Sequence, residues 1–384
     1  MTTTKSNLFW FLPLSKNSSE IYQRMSFHGG GAFDDLFESY TSAPNALEEL
    51  IEANRLWTIV LDISVVYFWV IFAIGLPANV LALITILKMQ VITPATILIA
   101  VLASLDGLAL IGKFVATVVV QHDLYLGTTG CRFQFLIIYV STMANWALAY
   151  ICAERFVSMW YPLLRDKYLS KKSLCLALVA TGLSFFIVFA TISIVMRGAD
   201  NTGHRCGTRA EHVWFHKNIW YWINASLFLF VPCLCIVPLT LITIVKLFWS
   251  RKPKHSETDR YDFENEAGNA NTERKNQRTV TIMMTLAAVT FILLSLPSCI
   301  YYLAYKSSND IVVEARWAVF EQVQFVFIDS SHAVNFFIYF LSSKLFRDRL
   351  YELVLPKSVS ARCTRRASDS TALETKTEKT KQDF

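Results

Sequence analysis

Charged residues are missing from four long stretches of this chain. Residues 133–153, 173–196, 218–245 and 279–305 contain no Asp, Glu, Lys or Arg. Each exceeds the roughly 20 residues that a helix needs to cross a hydrocarbon core. Lipid offers the backbone no hydrogen-bond partners, so a continuous helix is the expected form. Three further stretches are nearly as apolar. Residues 58–87 carry only Asp62, 94–120 carry Asp106 and Lys113, and 317–343 carry Glu321 and Asp329. The pattern predicts seven helical spans, joined by short polar segments and one longer one at 248–278.

The expected fold is therefore an all-α membrane protein, a seven-transmembrane helix bundle. Three parts follow along the chain: an extracellular N-terminal segment at 1–57, the transmembrane domain at 58–343, and a C-terminal part at 344–384. That last part opens on a short amphipathic helix, with Phe346, Leu350 and Leu353 on one face and Lys344, Arg347 and Arg349 elsewhere. This is the pattern of a helix resting on the inner leaflet, in contact with membrane lipids. The polar segment 251–278 reads as a mobile loop and 357–384 as a cytoplasmic tail.

Composition agrees. The chain is 54% hydrophobic and 17% charged, against about 25% charged in soluble domains. Its net charge of +6 gathers at 165–172, 251–278 and beyond 344. The positive-inside rule puts those segments in the cytoplasm and the N-terminus outside. Basic residues that flank membrane spans do not indicate nucleic-acid binding. No cleavable signal peptide is evident after the apolar run at 8–14, and the first span can serve as signal anchor. Asn17, in the sequon Asn17-Ser18-Ser19, is a glycosylation candidate on the outer side. His212 and His216 stand four apart but lack a third ligand, so no metal site is expected. No nucleophile–base motif or phosphate-cradling loop is present, which argues against an enzyme. No internal repeat is visible, which argues against an inverted-repeat transporter or channel.

Short motifs sit on the spans in a fixed order. The first span has Gly75-Leu-Pro-Ala-Asn79, the second Leu102-Ala-Ser-Leu-Asp106. The third ends in Glu154-Arg155-Phe156, followed by Met159-Trp-Tyr-Pro162-Leu163. The fifth holds Pro232, the sixth Phe291-Ile-Leu-Leu-Ser295-Leu-Pro297, and the seventh Asn335-Phe-Phe-Ile-Tyr339. In order and spacing these resemble the rhodopsin-like (class A) G protein-coupled receptors, over residues 58–355. The segment from Asn335 to Arg347 is similar to invertebrate neuropeptide receptors. Departures from the family pattern include Phe156 for Tyr, Ser295 for the sixth-span Trp, Phe336 for Pro, and Thr240 for the fifth-span Tyr.

The resemblance implies several residue roles. Glu154, Arg155, Phe156, Asn335 and Tyr339 would form the G-protein switch, Glu154 holding Arg155 at rest. A second clamp on Arg155 looks absent, because Gln277 stands where many relatives carry an acid. Asn79, Asp106 and Asn335 would form a polar network able to hold a sodium ion, although Ala144 and Ser295 weaken its cage. The alternative at Asp106 is a protonated carboxyl in a structural network. Cys131 and Cys206 fit the family disulfide, with Cys131 24 residues before Arg155, one fewer than usual. Cys363 is a palmitoylation candidate or else a free tail thiol, and Ser368 follows a basic kinase motif.

The ligand is constrained by what is missing. Ile137 stands where amine receptors carry an Asp, and Asp329 where retinal-binding relatives carry a Lys. A mouth lined by Gln134, Tyr302, Glu321 and Phe325 would suit a peptide with a basic residue, unless Glu321 is only a solvated boundary residue. Lys113 and Asp329 fall at one depth, about 10 Å and 9 Å outward from Asp106 and Asn335. They are expected to pair at the pocket floor; the alternative is that each meets only water. The expected function is a multi-pass plasma-membrane receptor for an extracellular neuropeptide, coupled to a heterotrimeric G protein and to arrestin. A non-peptide small molecule is the alternative ligand, and no cofactor is expected beyond the sodium ion.

Overall fold

A computed structural model of the chain describes residues 44–88, 93–122, 124–161, 170–199, 206–249, 264–306, 308 and 310–354, with side chains left aside at 44–47, 120 and 264–277. Asn17, Cys363 and Ser368 lie outside the described residues, as does the side chain of Gln277. Among the described residues, seven helices are long and apolar enough to cross a membrane. They are Pro44–Leu87, Pro94–Gln121, Gly127–Trp160, Lys171–Met196, Ala210–Trp249, Glu264–Ala304 and Ile311–Ser342. An eighth, short helix follows at Lys344–Val354.

The first helix packs on the second and seventh, the third on the second, fourth and fifth, and the sixth on the fifth and seventh. The ring closes between first and seventh at Gly75. A Cβ on Gly75 would lie 2.8 Å from both Ala333 Cβ and Leu110 Cδ1, so only glycine permits this approach. The core runs through Leu98, Leu102, Leu148, Ile151, Ile236, Met284, Phe291 and Tyr339. Large apolar side chains such as Leu183, Ile187, Leu234 and Leu293 point outward, as a lipid-facing surface requires.

Three helices extend past their apolar runs. The first begins at Pro44, inside the segment read from hydropathy as a polar leader to 57. Ala53, Trp57 and Val60 recur at helical spacing and are buried against Val312, Ala315 and Ala318 of the seventh helix. Glu48, Glu49 and Glu52 take the exposed face. Glu52 also meets Arg316 at 2.7 Å, but both side chains are well exposed, so screening leaves packing to hold the extension. The sixth helix starts at Glu264, so the second half of the presumed loop 251–278 is helical. Its Ala and long straight-chain residues favour helix, and no proline interrupts it before Pro297. The seventh starts at Ile311, where Asp310 caps the free amides of Val312 and Val313.

The third span bends at Gln134, between helical pieces Gly127–Phe133 and Phe135–Trp160. Cys131 is disulfide-bonded to Cys206, with Cα atoms 5.3 Å apart. Cys206 opens β2 (Cys206–Thr208), which pairs antiparallel with β1 (Arg197–Ala199). The bond ties this hairpin to the third span. At the other end of the bundle, Phe346 and Leu350 of the short helix are buried in the core. That apolar face therefore packs on protein; Arg347 donates to the carbonyls of Phe340 and Leu341 and secures the corner.

Trp57→Ala should destabilise the purified protein by about 3–5 kcal/mol, the usual cost of deleting a large buried side chain. Thermal melting measures this. A variant as stable as the parent would show that the extension is not held by its contact with the seventh helix.

Candidate functional site

Polar groups inside the bundle cluster at three depths. The middle one is built on Asp106, which is 2% exposed. Its two oxygens meet separate partners on the seventh helix: His332 Nδ1 lies 2.8 Å from Oδ1, and Asn335 Nδ2 donates to Oδ2 at 2.8 Å. His332 and Asn335 are three residues apart, hence on one helical face. Asn79 turns away from the carboxylate and donates to the carbonyls of Gly75 and His332, at 3.0 and 2.7 Å. The close approach at Gly75 makes that reach possible. The expected trio thus becomes Asp106, Asn335 and His332, with Asn79 bracing the backbone behind them.

Around Asp106 the protein supplies two nitrogen partners rather than a ring of oxygens. Both carboxylate oxygens already have a nitrogen partner. Ala144, on the wall of the adjoining cavity, contributes no oxygen. Sequence reading missed His332; its spacing from Asn335 was the available signal.

Toward the disulfide end lies a cavity of about 1070 Å³ lined by the first, second, third, fifth, sixth and seventh helices. Lys113 and Asp329 meet there as an ion pair. Tyr67 donates to the other Asp329 oxygen at 3.3 Å. The two charges satisfy each other, which is what an apolar surround demands. Ile137, Tyr302, Glu321 and Phe325 also line this cavity. Gln134 does not: Arg197 donates to its Oε1 at 2.9 Å and holds it beside the hairpin. Asn224 Oδ1, Ser141 Oγ and Gln324 Nε2 are buried without a protein partner. All three residues line the cavity, so water or a ligand must complete their hydrogen bonds.

The fifth helix reaches the cavity through two π turns, at His216–Trp220 and Ser226–Phe230. Wider turns of this kind release carbonyls from the regular ladder. Two donors of the third helix take them: Asn145 Nδ2 bonds Phe228 O at 2.8 Å, and Trp146 Nε1 bonds Leu227 O at 2.9 Å. The distortion sets the height at which Asn224 and Phe228 enter the cavity.

At the opposite end, Arg155 pairs with its neighbour Glu154. Glu154 is fully buried and Arg155 is 7% exposed. Ser158 donates to the second Glu154 oxygen at 2.9 Å. Arg155 lines a small hollow together with Thr243 and Met284 of the fifth and sixth helices. Phe156 turns outward toward Trp160 and Tyr161. Tyr339 is buried, its ring against Phe346 and its hydroxyl without a protein partner. Phe336, in place of proline, leaves the seventh helix unbroken and also packs on Phe346.

Comparison with known proteins agrees with this arrangement. The mouse neuromedin-U receptor 2 is 27% identical over 313 residues, covering 77% of this chain and 76% of the relative. The human neuromedin-U receptor 2 is 25% identical over 349 residues, covering 86% and 79%. Opsin-VA of Rutilus rutilus is 25% identical over 299 residues, covering 76% and 74%. Residues 78–339 match the family described as 7 transmembrane receptor (rhodopsin family). With most of the bundle inside that match, the chain belongs to the rhodopsin family of G protein-coupled receptors.

Proposed function

We propose that this chain is a plasma-membrane receptor, N-terminus outside, that binds an extracellular neuropeptide and activates a heterotrimeric G protein. The observation that carries the reading is the separation of two polar sites along one bundle. A cavity of about 1070 Å³ lies at the disulfide end, and the Glu154–Arg155 pair lies at the end that bears the short helix. Disulfides persist on the oxidising side of a membrane, which supports the cavity end as the outer one. Similarity to neuromedin-U receptors supports a peptide ligand. A retinal reading has no support at Asp329, which Lys113 neutralises.

In this reading Glu154 and Ser158 hold Arg155 at rest. An arginine freed from its neighbour could extend into the cavity beside Thr243 and Met284 and meet the G protein, and later arrestin. The Asp106–His332–Asn335 group links the two ends through the second and seventh helices. Lys113, Ile137, Tyr302, Glu321, Phe325 and Asp329 contact the ligand, while Gln134 acts on it only through Arg197. No catalysis and no cofactor are part of this function. Applying a neuropeptide library to cells that express the chain, with calcium and cyclic AMP read together, tests it. A peptide response is expected; activation by a non-peptide alone would overturn the peptide reading.

Arg155→Ala should abolish G-protein activation and leave ligand binding largely intact; normal signalling at normal surface expression would refute the switch. Glu154→Gln should raise basal signalling, because it removes the charge that holds Arg155.

Lys113→Ala and Asp329→Ala should each impair expression or signalling, since breaking a buried pair typically costs about 3–5 kcal/mol. The double alanine variant should recover part of the loss. Single effects that simply add would show that the two charges are energetically independent.

A further inference from the structure

Two free cysteines meet across the seam between the fifth and sixth helices. Cys233 follows Pro232 on the fifth helix, and Cys299 stands two residues after Pro297 on the sixth. Cys233 donates to Ser295 Oγ at 3.7 Å. Cys299 lies one turn beyond Ser295, on the same face of the sixth helix. The two thiols are within hydrogen-bonding reach of each other. Both side chains are half-buried, and the adjoining Leu234, Leu296 and Ile300 are exposed. The pair therefore borders the lipid rather than a sealed core.

The sixth helix is weakest at this level. Pro297 has no amide to donate to the carbonyl of Leu293, so the helical ladder is interrupted there. Ser295 turns its hydroxyl on the carbonyls of Phe291 and Ile292, at 2.5 and 3.3 Å, a back-bond that bends helices. Both features make this stretch a hinge. A covalent bond from Cys299 to the fifth helix would hold that hinge fixed.

We propose that Cys233 and Cys299 form an oxidisable pair, which a hydroperoxide converts to a disulfide that ties the fifth helix to the sixth and holds the receptor at rest. The sulfurs must come to about 2.05 Å, and side chains already in contact approach by rotating. One thiol attacks a peroxide oxygen. The O–O bond breaks, the thiol proton leaves with the other oxygen as water, and the sulfur becomes a sulfenic acid. The second thiol attacks that sulfur, the S–O bond breaks, and a second water carries off its proton. Two electrons pass from the sulfurs to the peroxide. A small uncharged hydroperoxide reaches the pair through the lipid. The effect on signalling rests on the receptor reading; the bond itself does not.

The test treats membranes that bear the full chain with hydrogen peroxide. Remaining thiols are then alkylated under denaturing conditions, and peptides are mapped without reduction. A peptide that links Cys233 to Cys299 is expected beside the Cys131–Cys206 one. The basal G-protein signalling of Glu154→Gln, which needs no ligand, should fall about fivefold or more after peroxide. The same receptor with Cys299→Ala should keep its signal, and Cys233→Ser serves equally. The peptide map of the parent decides if neither variant reaches the surface. Two thiols left free by peroxide, a link from either to another cysteine, or an equal loss of signal with and without Cys299 would overturn the proposal. A Glu154→Gln receptor with no basal signal would count against the receptor reading alone, and the peptide map would still judge the bond.

Discussion

A carboxylate buried at mid-membrane depth must be surrounded by donors, and Asp106 is the point from which the rest of the bundle is arranged. An unsatisfied carboxylate at that depth is expensive. The chain answers with His332 and Asn335, both from the seventh helix. Those bonds fix the rotation of the seventh helix against the second. The absent side chain at Gly75 then lets the first helix close in, and Asn79 clasps the backbone at His332. With that junction set, Lys113 and Asp329 fall opposite each other one level toward the disulfide end. Tyr339 falls one turn beyond Asn335 on the other side, over Phe346 of the short helix.

The bundle pairs its internal charges within the protein. Asp106 has two protein donors, Lys113 has Asp329, and Arg155 has Glu154. These serve the protein itself, as ties between helices or as a switch at a helix end. Glu321 lines the larger cavity, and Arg197 lines a second one that shares a wall with it.

Much of this was legible from residue order. The apolar runs located all seven spans, because lipid tolerates few alternatives to a helix. The pairing of Lys113 with Asp329 followed from helical rise and from the cost of charge in a membrane. The missing parts share a physical cause: they depend on contacts rather than on hydropathy. The helix from Pro44 was read as a leader because Glu48, Glu49, Glu52 and Arg55 mask its apolar stripe. Only the spacing of Ala53, Trp57 and Val60 betrayed it, and its value depends on the facing Ala315. The π turns of the fifth span have no sequence mark of their own; they are legible only beside Asn145 and Trp146. Gln134 was placed in the ligand mouth by its position on the span, yet the bend there hands it to Arg197. His332 passed unnoticed although its spacing from Asn335 puts both on one face, because its partner Asp106 lies on another helix.

His332 also decides whether the junction is complete. If Asp106 is satisfied by protein groups alone, a sodium ion has no place beside it. The direct measurement is the melting temperature of the purified receptor in sodium chloride and in choline chloride at equal ionic strength. Equal melting temperatures are predicted for the parent protein. A clear rise in sodium would contradict the account, since it would mean that a cation displaces His332 from Asp106.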